Sequence, residues 1–480
     1  MSMLSGSIKL VTCNVKHINP YECFSLHVLR FMNYNTPMKT LFIEEFVNKI
    51  GEEVELYGWV DSIRDHKKVV FIDLRDRTGK VQVVGDERFS QLSPEDVIMI
   101  KGLVKKRPEK LINPKLKTGE IEIEAKDFTI LSKATTLPFD FNKDTLDVNL
   151  PTLLDYRSLT LRHPKVQAIF KIQAALIEGF RKAAKELQCV EVFVPTISAS
   201  ATEGGAELFN FDYFEHKAFL VQSPQLYKQM MVGVFERVFL LSHIYRAEPS
   251  VTTRHLVESI QMDFEIGFID SFEELLDSLE FAYSEMIKYV QEACTEEFKL
   301  LGVEPSKVYK KIPRLTMREA QELIFKRTGV DHRQELDLMP EDERELAKWA
   351  VEEHDSDLVT ITHFPTKKRA FYSKPDPENP EYSLSYDLLY KGLEVSSGAQ
   401  RVHDHDELVE IIKSRGMSPE GFYMYLQSFK YGMPPHGGFS YGLERTTMKL
   451  LNLENIREAS LYPRDMERVD IRLSTLNNEE

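Results

Sequence analysis

The sequence predicts an α+β protein in two main parts: a small N-terminal β-barrel, then a larger domain built on an antiparallel sheet flanked by helices. Three features predict it. Residues 53–130 hold five short segments of alternating polarity. A long amphipathic helix opens near residue 163. Beyond it, strand-like and helical segments mix without βαβ regularity.

The five short segments are VELYGWV, KVVFIDLRD, KVQVVGD, VIMIKGLV and IEIEAKDFTIL, with Gly79 and Gly119 at turns. With a helical stretch expected in QLSPEDV, they suit a closed barrel of the OB type. Met38 opens MKTLFIEEF, which has helical spacing, so the barrel domain is drawn at residues 38–132. Residues 133–155, with Pro138 and Pro151, read as a linker, and residues 156–480 as the second domain. In that domain HPKVQAIFKIQAALIEGFRKAAKEL is a long helix, and VEVFVPTI after it reads as a strand. Further strands are expected at KAFLVQS, RVFLLSHIYRAE, IQMDFEIGFI, LVTITHF, SYDLLYKGLEVSSGA and GGFSYGL. Helices are expected at 271–299, 316–328, 340–353, 405–415, 418–431 and 442–451.

Of 480 residues, 42% are hydrophobic, enough for full cores, but no run of eighteen apolar residues is present to cross a membrane. Cys13, Cys23, Cys189 and Cys294 are scattered without metal-ligand spacing, as expected for reduced thiols in a cytoplasmic protein. The net charge of −15 argues against a general nucleic-acid binder. Yet Lys101, Lys105, Lys106, Arg107, Lys110, Lys115 and Lys117 cluster with Glu109 as the only acid among them, either a local phosphate-binding face or a solvated loop. Residues 1–37 lack clear periodicity and the Arg- and Ser-rich character of a targeting peptide, and read as an extension of unassigned role.

Four segments carry candidate chemistry. In TEGGAELF and FLVQSPQLYKQ, Glu203 lies beside a Gly-Gly turn. Gln222, Gln225 and Lys228 follow a strand; a helix starting at Gln225 would aim Gln225 and Lys228 to one side, into a shared pocket or, as a surface helix start, into solvent. In IYRAEPSVTTRHLVESIQMDFE, Arg246 and Arg254 sit near strand–loop junctions, and Asp263 and Glu265 share a strand face. That arrangement suits a polyphosphate clamp, or a hairpin bearing surface ion pairs. In YKGLEVSSGAQRVH, Glu394 and Arg401 flank a Ser-Ser-Gly turn able to offer oxygen ligands to Mg²⁺. In HGGFSYGLERTTMKLL, Gly437, Gly438 and Gly442 would let a ligand approach the backbone, and Arg445 starts a helix suited to a triphosphate. Neither GxxxxGK[ST] nor GxGxxG is present. Taken together, the arginine-bearing elements and the Gly-rich helix start point to ATP handled on an antiparallel sheet.

From about residue 40 to residue 470 these motifs resemble a class II aminoacyl-tRNA synthetase of subclass b, and specifically the aspartyl-tRNA synthetases. VEVFVPTI with Pro195 is similar to motif 1 and implies a homodimer. YRAE…RHL…MDFE resembles motif 2, and GGFSYGLER motif 3. The resemblance implies that Lys228 and Arg401 bind the aspartate side chain and Asp263 its ammonium. Glu203 would lie on a closing loop, and Gln222, Gln225 and Ser397 would complete the aspartate pocket. For ATP it implies Arg246 on the α-phosphate and Glu248 near the adenine, with Leu256 and Gly442 beside the nucleotide. Arg254, His255 and Arg445 would meet the terminal phosphates, and Glu394 and Ser397 would hold Mg²⁺. Arg246 and Arg445 would be the catalytic pair. In the barrel, the resemblance sets Phe71 stacked on the middle anticodon base, with Arg64 and Gln82 in contact; otherwise Phe71 is a core residue. The implied partners are L-aspartate and tRNA-Asp.

Only about 170 residues separate Glu265 from Gly437, which suits the archaeal–eukaryotic type without the bacterial insertion domain. Asp61 follows GWV, where that type often has Trp or His tied to discrimination between tRNAs, so charging of tRNA-Asn stays open. The rival readings are an asparagine–tRNA ligase and a non-catalytic tRNA-binding paralogue.

Overall fold

The computed structural model describes residues 41–141, 143–199, 208–249 and 252–476, and the chain divides into two compact units between Asn142 and Lys143. Residues 1–37 and Glu203, expected on a closing loop, lie outside the described residues.

In the first unit, β1 (Glu53–Asp65), β2 (Val70–Arg75), β3 (Lys80–Gly85), β4 (Val97–Lys106) and β5 (Ile121–Ser132) close a barrel in the order β1-β2-β3-β5-β4. Alternation puts Leu56, Ile72, Leu74, Val81, Val83, Ile98, Ile100 and Ile123 inside. The MKTLFIEEF segment forms a 3₁₀ turn, Ile43–Asn48, whose Ile43 and Phe46 join that core. The helix expected in QLSPEDV is absent. A 3₁₀ turn capped by Asp86, Glu87–Gln91, reaches only the first residue of that stretch. At Pro94 the chain instead turns, the Asp96 carboxylate accepting from Ser93 N at 2.9 Å.

In the second unit a short helix, Leu150–Asp155, occupies the end of the span expected as linker, because Asn149 caps it (2.9 Å to Thr152 N) and Pro151 suits its first turn. After the helix Pro164–Glu186 come β6 (Val190–Glu191), β7 (Ile197–Ser198), β8 (Asn210–Tyr213) and β9 (His216–Leu220), then the helix Gln225–Phe235. Next are β10 (Arg237–Tyr245), β11 (Glu258–Gly267), the helix Phe272–Ala293, β12 (Arg314–Thr316), β13 (Leu358–Thr362), β14 (Ser385–Tyr390), β15 (Glu394–Gln400) and β16 (His436–Gly442). Eight of these strands make one sheet, β12-β13-β14-β15-β16-β11-β10-β6, antiparallel from β13 to β10; β7, β9 and β8 form a small second sheet.

The sheet has two unlike faces. Phe264, Phe439, Tyr441, Leu388 and Tyr386 join the core built with helices Pro164–Glu186 and Phe272–Ala293. On the opposite face of β11, Gln261, Asp263 and Glu265 alternate with those apolar residues. Register aligns Asp263, Ser440, Ser397 and Asp387 across β11, β16, β15 and β14, four polar side chains in one row.

Two sequence expectations change here. VEVFVPTI is not one continuous strand: only Val190–Glu191 and Ile197–Ser198 pair, since Pro195 has no N–H for a ladder. Ser396-Ser397-Gly398 is not a turn. It lies within β15, and the turn falls earlier, at Lys391 and Gly392, both with positive φ. Gly398 is required in the ladder, because a Cβ there would meet Gly438 O at 2.5 Å.

Candidate active site

The polar face of the large sheet floors a cavity of about 510 Å³. Among the described residues its lining holds seven Lys or Arg side chains against four Asp or Glu, inverting the sign of a chain with net charge −15. Such a cavity attracts anions.

One end is a compensated charge cluster. The helix Gln225–Phe235 brings Gln225 and Lys228 to the sheet, three residues apart on one side as expected. Lys228 Nζ donates to Asp263 Oδ1 at 2.8 Å and lies 3.4 Å from Glu265 Oε2. Arg401, just past β15, donates from Nε to Glu265 Oε1 at 2.9 Å and from Nη2 to Gln225 Oε1 at 3.0 Å. Gln225 Nε2 in turn donates to Glu265 Oε2 at 3.3 Å. Two cations and two anions are thus buried together; an uncompensated charge at this depth would cost several kcal/mol. Burial opposes ionisation of Glu265, but Arg401 and then Lys228 outweigh it and hold its carboxyl below the usual range. For Asp263 burial prevails over Lys228, and its carboxyl is raised. Asp263 Oδ2 is buried with no hydrogen-bond partner among the described residues, an acceptor left for a ligand donor.

The other end gathers arginines. Arg254, on the loop between β10 and β11, donates from Nη1 to Glu343 at 3.0 Å. Arg445, in the first turn of the helix Leu443–Leu450, donates from Nη1 to Glu394 O at 3.1 Å and lies 3.4 Å from Glu394 Oε2. Arg246 Nη1 and His255 Nε2 stand 3.8 and 3.9 Å from the Glu248 carboxylate. Burial, followed by the charge of Arg445, lowers the His255 pKa and favours the neutral ring.

Between the ends, Arg369 pairs with Asp387 (Nη2–Oδ2 2.7 Å), and its Nη1 lies 3.5 Å from Ser397 Oγ. Asp387 Oδ1 is buried without a hydrogen-bond partner among the described residues. Burial, with the nearby Glu394 charge, lifts the Asp387 carboxyl to about 6 against the pull of Arg369. The oxygen donors Asp387, Glu394 and Ser397, gathered here on the sheet face, are of the type a hard divalent cation takes. No three His, Cys, Asp or Glu side chains are grouped to hold a metal alone among the described residues, so such a cation would share its shell with ligand phosphates.

These features coincide with the comparisons to known proteins. The family described as tRNA synthetases class II (D, K and N) matches residues 149–466, and the OB-fold nucleic acid binding domain matches residues 54–131. The chain belongs to the class II tRNA synthetases. It is 42% identical over 430 residues to the aspartate–tRNA(Asp/Asn) ligase of Thermus thermophilus, covering 89% of this chain and 99% of that one. It is 40% identical over 444 residues to the aspartate–tRNA(Asp) ligase of Pyrococcus abyssi, covering 90% and 99%. Among solved structures, the asparaginyl-tRNA synthetase of Pyrococcus horikoshii with asparaginyl-adenylate superposes with a TM-score of 0.81 at 31% identity, over 89% of this chain and 99% of that one. The aspartyl-tRNA synthetase of Entamoeba histolytica gives 0.79 at 29%, over 91% and 93%.

In this synthetase, one cavity collects most of the residues singled out in the sequence. Gln225, Lys228, Asp263, Ser397 and Arg401 line it, with Arg246, Glu248, Arg254, His255, Leu256, Glu394, Gly442 and Arg445. Gln222 is buried but outside the lining. Gly437 and Gly438 do not serve ligand approach as expected. A Cβ at Gly438 would collide with Glu265 Oε2 at 1.9 Å, and one at Gly437 would come within 2.9 Å of the Leu275 side chain. Sequence reasoning missed Arg369, Glu343, Asp387 and Glu444 and left Glu265 without a role. Strand alternation had put Glu265 beside Asp263, but its partner Arg401 is 136 residues away.

On the synthetase's barrel, Arg64, Phe71 and Gln82 sit on the neighbouring strands β1, β2 and β3, with Arg64 opposite Phe71 in register. Phe71 is half-buried and outside the barrel core, its ring edge-on to His66 at 5.7 Å. Asp61 is buried, pairing with Arg75 at 3.3 Å and Lys80 at 2.6 Å. In the basic cluster, Lys101, Lys105 and Arg107 face Glu55, Glu124 and Glu122, so part of its charge is compensated locally.

Among the described residues, no helix is long and apolar enough to cross a membrane. Cys189 and Cys294 are buried free thiols, pushed up by burial to about 12 and about 11, as befits unreactive sulfur.

Proposed function

We propose that this synthetase activates L-aspartate with ATP and transfers it to the 3′ end of tRNA-Asp. The observation that carries the reading is the buried pair Lys228 and Arg401: both line one cavity, and both reach Glu265. Two cations around one site favour a carboxylate over an amide, whose NH₂ would confront donors. The relatives from Thermus thermophilus and Pyrococcus abyssi, 42% and 40% identical, are named aspartate–tRNA ligases, which supports it.

In this reading Asp263 Oδ2, which has no hydrogen-bond partner among the described residues, accepts from the substrate ammonium, and Gln225 orients the amino acid with Gln222 behind it. Glu203, outside the described residues, keeps only the role the resemblance implies, on a loop closing over the amino acid. Arg246 holds the α-phosphate, Glu248 meets the adenine between Leu256 and Gly442, and Arg254, His255 and Arg445 hold the terminal phosphates. Glu394 and Ser397, with Asp387 nearby, are the residues that would hold Mg²⁺, which when bound neutralises phosphate charge. The substrate α-carboxylate is ionised at neutral pH, so its attack on the α-phosphorus, with pyrophosphate leaving, needs no general base. The chain's contribution is positioning and charge stabilisation by Arg246 and Arg445. The tRNA 3′-terminal hydroxyl then attacks the carbonyl carbon of the aspartyl-adenylate, giving up its proton as the ester forms and AMP leaves. Phe71, Arg64 and Gln82 read the anticodon. The exposed Val190 and Phe193 near Pro195 support a homodimer face. The setting is the cytoplasm.

Pyrophosphate exchange driven separately by aspartate and by asparagine tests the reading, and a preference for asparagine overturns it. That outcome would favour the second reading, asparagine ligation, for which the Pyrococcus horikoshii likeness speaks. Aminoacylation of tRNA-Asp and tRNA-Asn transcripts side by side decides whether tRNA-Asn is also charged; relatives named for tRNA(Asp/Asn) and for tRNA(Asp) match the chain at 42% and 40% identity.

A further inference from the structure

Arg254 is held in place by an acid from outside the cavity lining. Glu343 lies in the first turn of the helix Pro340–His354, and its Oε2 accepts from Arg254 Nη1 at 3.0 Å with both side chains mostly buried. That helix start is itself fixed twice. Asp342 caps it, accepting from Met339 N at 2.9 Å and contacting His332 Nδ1 at 2.9 Å. The same turn also packs against Gly392: a Cβ there would come 3.1 Å from Arg344 Cα and 3.4 Å from Glu343 O. Gly392 adjoins the residues leading into Glu394. One helix turn therefore braces both the arginine and the strand start that carries the candidate cation ligand.

We propose that Glu343 is a positioning residue for ATP: it holds Arg254 so that the guanidinium meets the triphosphate already oriented. This rests on the reading above, in which Arg254 contacts the terminal phosphates. A guanidinium has five N–H donors, and Glu343 engages it through Nη1. The remaining donors stay available to phosphate oxygens, while the side chain has fewer rotamers to lose on binding. Burial lifts the Glu343 carboxyl to about 7, and Arg254 opposes that rise, so the pair is also coupled electrostatically.

The test is a double-mutant cycle in pyrophosphate exchange on the full-length enzyme, with Glu343→Ala, Arg254→Ala and the double variant. Glu343→Ala should raise KM for ATP about tenfold, leave KM for aspartate within about twofold, and place the loss in KM rather than kcat. In the Arg254→Ala background the same change should add less than about twofold, because its route to ATP has gone. Glu343→Gln, which keeps an acceptor, should recover most of the loss. If Arg254→Ala leaves KM for ATP unchanged, the phosphate role of Arg254 fails first. If Arg254→Ala is impaired but Glu343→Ala is not, or the two losses multiply, or Glu343→Ala lowers KM for ATP, the positioning role is overturned. Equal rises in both substrates' KM with a lowered Tm would mean a purely structural acid and would likewise overturn it.

Discussion

Glu265 and Gly438 face each other in register on β11 and β16, and a methyl group at 438 would lie 1.9 Å from the Glu265 carboxylate. The glycine is the space in which Glu265 reaches both Arg401 and Lys228. Gly438→Ala should therefore displace the carboxylate and loosen both cations. The expected cost is about 1–3 kcal/mol in chemical denaturation, as for other overpacked interiors. Aspartate-dependent exchange should fall more than ATP affinity does; unchanged aspartate kinetics would show that Glu265 does not organise the pair.

Removing either cation should strike aspartate use and spare ATP. Truncating one member of a buried hydrogen-bonded charge cluster costs about 2–5 kcal/mol. Lys228→Ala or Arg401→Ala should thus lower kcat/KM for aspartate by about 100-fold or more, while ATP binding measured by calorimetry stays near that of the parent. Parent-like aspartate kinetics in both variants would remove the proposed pocket.

Glu444 should make the fold sensitive to pH. Burial lifts its carboxyl from 4.5 to about 7, while both its oxygens accept from Ile260 N, at 3.2 and 3.1 Å. The folded chain therefore keeps a proton that the unfolded chain releases near pH 4.5. More protons are bound in the folded state, so this group's contribution to stability falls as pH rises from about 4.5 to about 7, by of order 3 kcal/mol. Glu444→Gln keeps an acceptor and cannot ionise. Its stability relative to the parent should rise across that window and level off above it. A parent-minus-variant difference that is flat from pH 4.5 to 8 would refute this.

Phe71 points away from the barrel core, so its truncation should cost recognition and not folding. Phe71→Ala should raise KM for tRNA about 10-fold, in line with about 1–3 kcal/mol for a stacked base, and leave pyrophosphate exchange unaltered. An unchanged KM for tRNA would show that this barrel face does not read the anticodon.

The sequence was most legible where periodicity rules. The five barrel strands and the helix Pro164–Glu186 follow from alternation and helical spacing, and the Gln225–Lys228 pairing from the helix repeat. It was less legible where one residue overrides a pattern. VEVFVPTI reads as a strand until Pro195 denies it a donor, and Ser-Ser-Gly reads as a turn although neighbouring strands hold it extended. QLSPEDV reads as a helix until Pro94 and the Asp96–Ser93 turn break it.

By itself the amino-acid order determined the two-part architecture, because periodicity lies along the chain, and its motifs, through their resemblance to the class II synthetases, implied most of the residues around the cavity. Only the tertiary structure decided how charge is balanced there. It joined Arg401 to Glu265 across 136 residues, Arg254 to Glu343 across 89 and Arg369, between β13 and β14, to Asp387 on β14, and it revealed Gly438 as room for a carboxylate. Those pairings arise from through-space electrostatics and burial, which no local pattern in a chain encodes.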